Sequence, residues 1–353
     1  MSLKLHDFAD LYTDFLISNT SLASGTSMAS ILGIKHDVIT QSMAKYDYDS
    51  KFLWHYVKPF IQESTQSSDL VVLSFDDTIQ EKRYSDESSL INWHSDHKVN
   101  RSVKGVNLLT AFFDNGKKRL PCSVEFVIKE KEILNSKKDK QKRKAIKTKN
   151  EYFREMLSSC VDRFRIDYVM ADSWYSSKEN MQLIKQKLGC DFIIALKSNR
   201  LGCIEIDEIK QDSVRIDSLQ LGQQAVRIWL EGLNFPVMLT KQVFKNGDGT
   251  QGELYLACSD MKLQYQEINT YYKKRWGVEE YHKSIKHNTS LGKSPTKTVK
   301  TQMNHFILSI VANAKLEWLM QRKSKNHFAL KARIVLAAQK AAYNELVEMK
   351  KAA

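Results

Sequence analysis

The chain is poor in the residues that build fibrous, low-complexity or disulfide-stapled proteins. Only 4 Pro and 13 Gly occur among 353 residues, which excludes collagen-like, elastic and low-complexity classes. The five cysteines, Cys122, Cys160, Cys190, Cys203 and Cys258, are odd in number, widely scattered and never paired as C-x-x-C. A disulfide framework and a standard zinc knuckle are excluded with them. Long apolar runs are missing as well. Residues 70–73 and 306–308 are typical of the runs present, whereas a membrane helix needs roughly 20 residues. The opening Met1-Ser2-Leu3-Lys4 carries no secretory apolar stretch or small-residue cleavage site, so a cytoplasmic protein is expected. No P-loop, dinucleotide fingerprint or G-x-S-x-G occurs, which removes the commonest nucleotide-binding and esterase signatures.

What is abundant is positive charge. Lys+Arg number 54 against 41 Asp+Glu, a formal excess of +13. Such an excess points to a polyanionic partner, with nucleic acid first. An acidic membrane surface is second, but no basic amphipathic helix with the necessary aromatic and Leu face is evident. Hydrophobic residues at 42% and charged residues at 27% describe a globular chain. Its length predicts two or three structural units.

Residues 1–66 read as a small helical unit, with Phe8, Leu11, Phe15 and Leu16, and again Phe52, Leu53, Tyr56, Val57 and Phe60, at helical spacing. A short helix through Ala29, Ile31 and Leu32, a break at Gly33 and a second helix from Asp37 have the form of a helix-turn-helix, or of plain helix packing. After a polar linker at 64–69, residues 70–75 (LVVLSF) read as a buried strand ending at Asp76-Asp77-Thr78. Residues 103–113 and 120–128 read as two more strands around an Asn115-Gly116 turn, giving three consecutive antiparallel strands. The segment 129–150 carries ten Lys/Arg and three acids and reads as a solvated helix or loop, or as a DNA-backbone contact. A helix over about 151–164, a strand at 168–171 ending in Asp172, a Ser176–Glu179 capping box opening a helix, and a strand at 192–196 follow. Three strands between 202 and 259 form an all-β insertion, and the remainder is helical: 271–286, 301–321 and 330–350.

Two strands thus end in an acid at the carboxyl edge, Asp76 and Asp172, where loops of an α/β sheet converge on one crevice. Each acid by itself also suits a turn or a helix cap. On a helical wheel of 271–286, Tyr272, Arg275, Glu279 and Lys286 share one stripe, flanked by Lys283 and Trp276, and Val278, Tyr281 and Ile285 lie opposite. Three carboxylates from distant points suit two divalent metals of an in-line phosphoryl displacement. Oxygen ligands suit the hard Mg²⁺ ion, and Mn²⁺ should substitute. The cations beside Glu279 would neutralise phosphates without reading sequence. His94 and His97 lack Cys partners and helical H-x-x-x-H spacing, and read as structural.

The spacing Tyr272-(two)-Arg275-(three)-Glu279-(six)-Lys286, with the core Arg275-Trp276-x-x-Glu279-Glu280-x-His282-Lys283, resembles the tyrosine–arginine–glutamate–lysine signature of bacterial insertion-sequence transposases, the IS-four superfamily. Asp76-x-Thr78 and Asp172 resemble that group's other acidic motifs, over roughly residues 67–320. The resemblance implies a ribonuclease-H-like α/β catalytic domain (67–201 and 263–322) interrupted by a β-rich insertion (202–262), behind a DNA-binding helical unit (1–66) and before a C-terminal helix (323–353). It further implies that Asp76, Asp172 and Glu279 are the catalytic acids and hold two Mg²⁺. Tyr272, Arg275, Trp276, Lys283 and Lys286 would contact DNA, and a homodimer would act on paired ends through a hairpin intermediate. Trp229 in the insertion would stack on a flipped base, or is a core Trp. Asp76 and Asp77 are adjacent, and a one-residue slip would exchange which of them faces the metal. Two rivals stay open: a nuclease of the same fold, and a non-catalytic DNA-binding protein derived from a transposase.

Overall fold

The computed structural model describes every residue except 1–2, 66–68, 97–99, 136–139, 207–208, 211, 246, 248, 324 and 353. Four helices come first: α1 (Leu5–Ser18), α2 (Gly25–Leu32), α3 (His36–Lys45) and α4 (Ser50–Thr65). Gly33 closes α2 with φ of 65°, the left-handed conformation that favours glycine, and so makes the break before α3 that the sequence suggests. Phe8, Phe15, Leu16 and Leu53 are buried. The polar linker is in part the end of α4, and residues 66–68 of it lie outside the described residues.

Strands β1 (Val72–Glu81), β2 (Asn92–Asp96), β3 (Arg101–Asp114) and β4 (Arg119–Phe126) follow. Strand β1 does not stop at Asp76. It runs on to Glu81, because β3 continues to pair with it through Gly105. The glycine at 105 permits this approach, since a Cβ there would meet the Gln80 carbonyl oxygen. His94 lies on β2, an edge strand paired with β3, and not in a loop; His97 is outside the described residues. Where the sequence suggests a helix or loop, the described part of the basic segment pairs β5 (Lys131–Asn135) antiparallel with β6 (Lys140–Lys144), and only its last two residues are helical, at the start of the next helix. Next come α5 (Lys149–Val161), β7 (Tyr168–Ala171), a 3-10 turn (Ser173–Tyr175), α6 (Lys178–Gln182), which passes into a π turn, and β8 (Asp191–Leu196). Ser177, not Ser176, caps α6, accepting from the Asn180 amide.

The β-rich stretch comprises β9 (Leu201–Ile206), β10 (Ile209–Lys210), β11 (Val214–Arg215), β12 (Val226–Leu230), β13 (Val237–Lys245) and β14 (Gln251–Cys258). These strands extend the main sheet, because β14 pairs antiparallel with β8. Among the described residues the sheet has twelve strands, in the path β10-β9-β12-β13-β14-β8-β7-β1-β3-β2, with β4 on β3 and β11 on β9. Strands β1, β7 and β8 are mutually parallel, whereas β3 and β4 are antiparallel to their neighbours.

Helices α7 (Tyr265–Tyr272), α8 (Trp276–Asn288), α9 (Val299–Lys323) and α10 (His327–Ala352) complete the chain. The expected single helix over 271–286 is interrupted by a 3-10 turn at Lys273–Arg275. A 3-10 turn advances about 120° per residue, so Tyr272 is rotated relative to the wheel drawn for one continuous helix. The sheet has apolar packing on both faces, with Leu73, Phe75 and Val169 on one and Val72, Met170, Ile193 and Tyr272 on the other. Helix α10 is tied in at its start, where Ser284 of α8 and Glu317 of α9 both bond His327. No described helix is long and apolar enough to cross a membrane.

Candidate active site

Strands β1 and β7 run parallel, in register from Val72 with Tyr168 to Phe75 with Ala171. Asp76 and Asp172 each lie one residue past the last of these pairs, so the two acids sit side by side at the carboxyl edge. Side chains alternate between faces along a strand. Phe75 and Asp77 therefore point to the α5 side, and Asp76 to the side covered by α7 and α8. The contacts agree. Asp77 pairs with Lys149 at 2.7 Å and accepts a hydrogen bond from the Tyr175 hydroxyl at 3.3 Å. Below it, Phe75, Phe153 and Tyr175 stack in series. Asp76 instead has His282 of α8 at 3.7 Å, and its other oxygen accepts the Asp77 amide at 2.9 Å. Asp172 caps the 3-10 turn by accepting from the Trp174 amide at 2.9 Å.

Burial, with added repulsion from Asp77 and Asp172, pushes the Asp76 carboxyl up to about 7, although Arg275 pulls it down. Asp172 is raised chiefly by burial, against the Trp174 amide and Arg275. Arg275 is the counter-ion of the cluster. Its own charge is disfavoured by burial but sustained by Tyr272, Asp76 and Glu279, so its pKa stays above the ordinary value.

Helix α8 is buried on two sides. Val278, Tyr281 and Ile285 enter the apolar core, as the wheel predicts. The opposite, charged stripe lies over the acidic edge and does not face open solvent. Arg275 and Glu279 are only 15% and 18% exposed and form an ion pair at 2.6 Å. Tyr272 is buried and donates to the Ala171 carbonyl at 3.2 Å, fixing α7 on the end of β7. The Lys286 ammonium donates to the Thr78 hydroxyl at 2.7 Å and the Ile79 carbonyl at 3.0 Å, and so staples α8 to the extension of β1. Trp276 and Lys283 point outward, with the ammonium 5.2 Å from the ring centre. Gly277 makes room for Arg119, which bonds Glu280 at 2.7 Å; a Cβ at 277 would sit 2.5 Å from the guanidinium.

Trp229 is not brought to the acids. It lies half-buried on β12, with β13, β14 and β8 between its strand and β7. At about 4.8 Å per strand that is roughly 19 Å of sheet. Four neighbours of the site carry no role in the sequence reading: Lys149, Trp174, Tyr175 and His282. His282 was legible, because it lies three residues after Glu279 and seven after Arg275, on the same helical stripe. The other three come from separate elements, and no spacing announces them.

The donor chemistry fits a hard divalent cation. Two desolvated carboxylates sit together, Asp76 midway along β1 and Asp172 just past β7, and Glu279 lies one ion pair away on the covering helix. Among the described residues no three metal-ligating side chains already converge, and Glu279 is held by Arg275.

The mixed α/β sheet thus sets Asp76, within β1, beside Asp172, just past β7, with the Arg275–Glu279 helix above them. Residues 139–313 match the family model of the transposase DDE domain, and the chain carries that domain. The matched span contains Asp172, Arg275 and Glu279 and begins after Asp76, whose place beside Asp172 rests on strand register. No curated protein matches the chain.

Proposed function

We propose that the chain is the transposase of an insertion sequence, which binds the element's ends and catalyses metal-dependent strand cleavage and strand transfer, moving the element by cut and paste. The observation that carries this reading is the side-by-side placement of Asp76 and Asp172 under the Arg275–Glu279 helix. The run β4-β3-β1-β7-β8, three antiparallel strands and then two parallel ones, supports a ribonuclease-H-like catalytic unit. In this reading 67–201 and 263–322 form that unit, 202–262 is the insertion on its sheet edge, and α1–α4 bind DNA through α2 and α3.

Asp76, Asp172 and Glu279 are the proposed ligands. Two magnesium ions bound there would supply Lewis-acid activation of the attacking water or 3′-hydroxyl and of the leaving oxygen. The chain's own residues do the rest. Arg275 gives up Glu279 to the acidic pair and turns its guanidinium to a phosphate, a fork-to-oxyanion contact that replaces the one it loses. His282 orients Asp76 from the helix side, and Lys149 keeps Asp77 out of the site. Tyr272 and Lys286 hold α7 and α8 on the strand ends, while Trp276 and Lys283 meet the DNA backbone. Both ends of the element are cut together, so a homodimer on double-stranded DNA is the working form.

The test is a cleavage assay on labelled DNA carrying the element's own ends, with Mg²⁺ or EDTA, for the wild type and Asp172→Asn. Mg²⁺-dependent nicking at the element boundary, lost in the variant, is expected. Nicking that persists in Asp172→Asn or in EDTA would overturn the assignment. Cleavage without any joined product would favour a nuclease.

A further inference from the structure

Trp174 stands two residues beyond Asp172 on the 3-10 turn, and 47% of it is exposed. Two lysines from separate elements approach its ring: Lys149 from the start of α5, with Nζ 5.5 Å from the centroid, and Lys197 just past β8, with Nζ at 5.9 Å. The turn cannot swing freely, because the Trp174 amide is bonded to Asp172 and Tyr175 is fully buried beneath it. The same edge continues into a concave surface whose charged lining is Lys178, Lys197 and Arg200 together with Glu179 and Glu231, three cations against two acids. An exposed, rigidly mounted aromatic among cations is the combination that holds an unpaired nucleotide: the ring takes the base face, and the cations take the flanking phosphates. Packing alone gives a poor account of Trp174. The core beneath is already filled by Tyr175, Phe153 and Phe75, and leaving half an indole in water gives up part of its burial.

We propose that Trp174 is the stacking platform for an unpaired DNA base next to the scissile phosphate, with Lys197 neutralising the adjoining backbone. Because it rests on the transposase reading, this assigns to Trp174 the base-holding role that the sequence suggests for the distant Trp229. The strand it holds is one end of the cut element, where pairing is lost as cleavage proceeds.

The experiment measures binding in EDTA of two duplexes, one blunt and one with a three-nucleotide single-stranded overhang bearing 2-aminopurine. The proteins are wild type, Trp174→Ala, Trp174→Tyr, Lys197→Gln and, as an exposed tryptophan elsewhere, Trp93→Ala. Trp174→Ala should bind the overhang duplex roughly tenfold more weakly, in line with base–aromatic stacking, and the blunt duplex nearly as well as wild type. Its salt slope should be unchanged, whereas Lys197→Gln should lower the slope by about one phosphate's contribution. Trp174→Tyr should restore most of the affinity, and wild type and Trp93→Ala alike should quench the 2-aminopurine on binding. Equal affinity of wild type and Trp174→Ala for the overhang duplex, or unchanged quenching in that variant, would overturn the proposal. Mg²⁺-dependent nicking in the same preparations separates the two levels. If nicking is intact while Trp174 proves indifferent, only the platform fails; if the wild type neither binds nor nicks DNA, the transposase reading fails and takes the platform with it.

Discussion

The adjacent pair Asp76 and Asp77 offers a test in which stability and activity move in opposite directions. Asp76 is buried and repelled by two other acids, so its carboxyl titrates near 7 when folded, against an ordinary value of 3.8. The folded state then binds a proton that the unfolded state has already lost. The contribution of Asp76 to stability therefore falls as pH rises from about 4 to about 7, and its full cost is present above 7. Three units at about 1.36 kcal/mol each give a ceiling of roughly 4 kcal/mol, and local relaxation reduces it to about 2–4 kcal/mol. Asn at 76 removes the charge and keeps an oxygen for the Asp77 amide. In EDTA at pH 8, Asp76→Asn should thus be more stable than the wild type. With unfolding entropy near 2.1 cal/mol/K per residue, its melting temperature should rise by about 3–5 °C, and the gain should vanish near pH 4.

Asp77→Asn should do the reverse, because it breaks the partly buried Lys149 ion pair and weakens the Tyr175 bond, a loss of about 1–3 kcal/mol. Nicking should disappear in the first variant and survive within a few-fold in the second. Saturating Mg²⁺ should stabilise the wild type by about 2.7 kcal/mol at a hundred times the dissociation constant, and Asp76→Asn hardly at all. Calorimetry at pH 8 and pH 4, with and without Mg²⁺, reads every one of these quantities. A destabilised Asp76→Asn, or one stabilised equally at both pH values, would refute the reasoning.

Further outcomes follow from other parts of the molecule. Burial, with a smaller contribution from Lys82, depresses His305 to about 4, and its ring is held neutral between the Tyr12 hydroxyl and the Ser290 and Leu291 carbonyls. The unfolded imidazole binds a proton first as pH drops below 6.5, so this ring alone should cost about 3 kcal/mol of stability between pH 7 and pH 4, opposing the contribution of Asp76 over the same range. Denaturation curves of His305→Gln should lack that component, and identical pH slopes would count against it. Gly277→Ala should push Arg119 off α8 and cost about 1–3 kcal/mol, visible as a lower denaturation midpoint. Lys283→Ala should lower the slope of log K against log salt by about 0.9. Lys286→Ala should leave that slope nearly intact and instead loosen α8 from β1, because its ammonium is committed to Thr78 and Ile79; DNA titrations at four salt concentrations distinguish the two.

Much of the site was legible because it depends on short periods. The three candidate carboxylates follow from apolar runs followed by acids and from one helical stripe, but which of Asp76 and Asp77 faces the covering helix is read only from the pairing of β1 and its contacts. What failed is what depends on partners. Polar composition made 76–81 and 92–96 look like loops, but a strand is held by its neighbour's backbone, and β3 is long enough to pair with both. The same holds for the lysine-rich β5–β6 pair. The charged stripe of α8 was read as a surface for phosphates, yet a stripe only says that its residues share a side. Whether that side meets water or another element depends on the sheet beneath it, and here Arg275 and Lys286 find their partners there. Aromatic roles are the least legible of all. Trp174 stands between Ser173 and Tyr175 and Trp229 between Ile228 and Leu230, and it is strand order that sets Trp229 several strands away from Asp172. Trp174, two residues beyond Asp172 and bonded to that carboxylate through its amide, is the tryptophan that a base-holding role beside the acids would call on, and nothing in its sequence neighbours announces it.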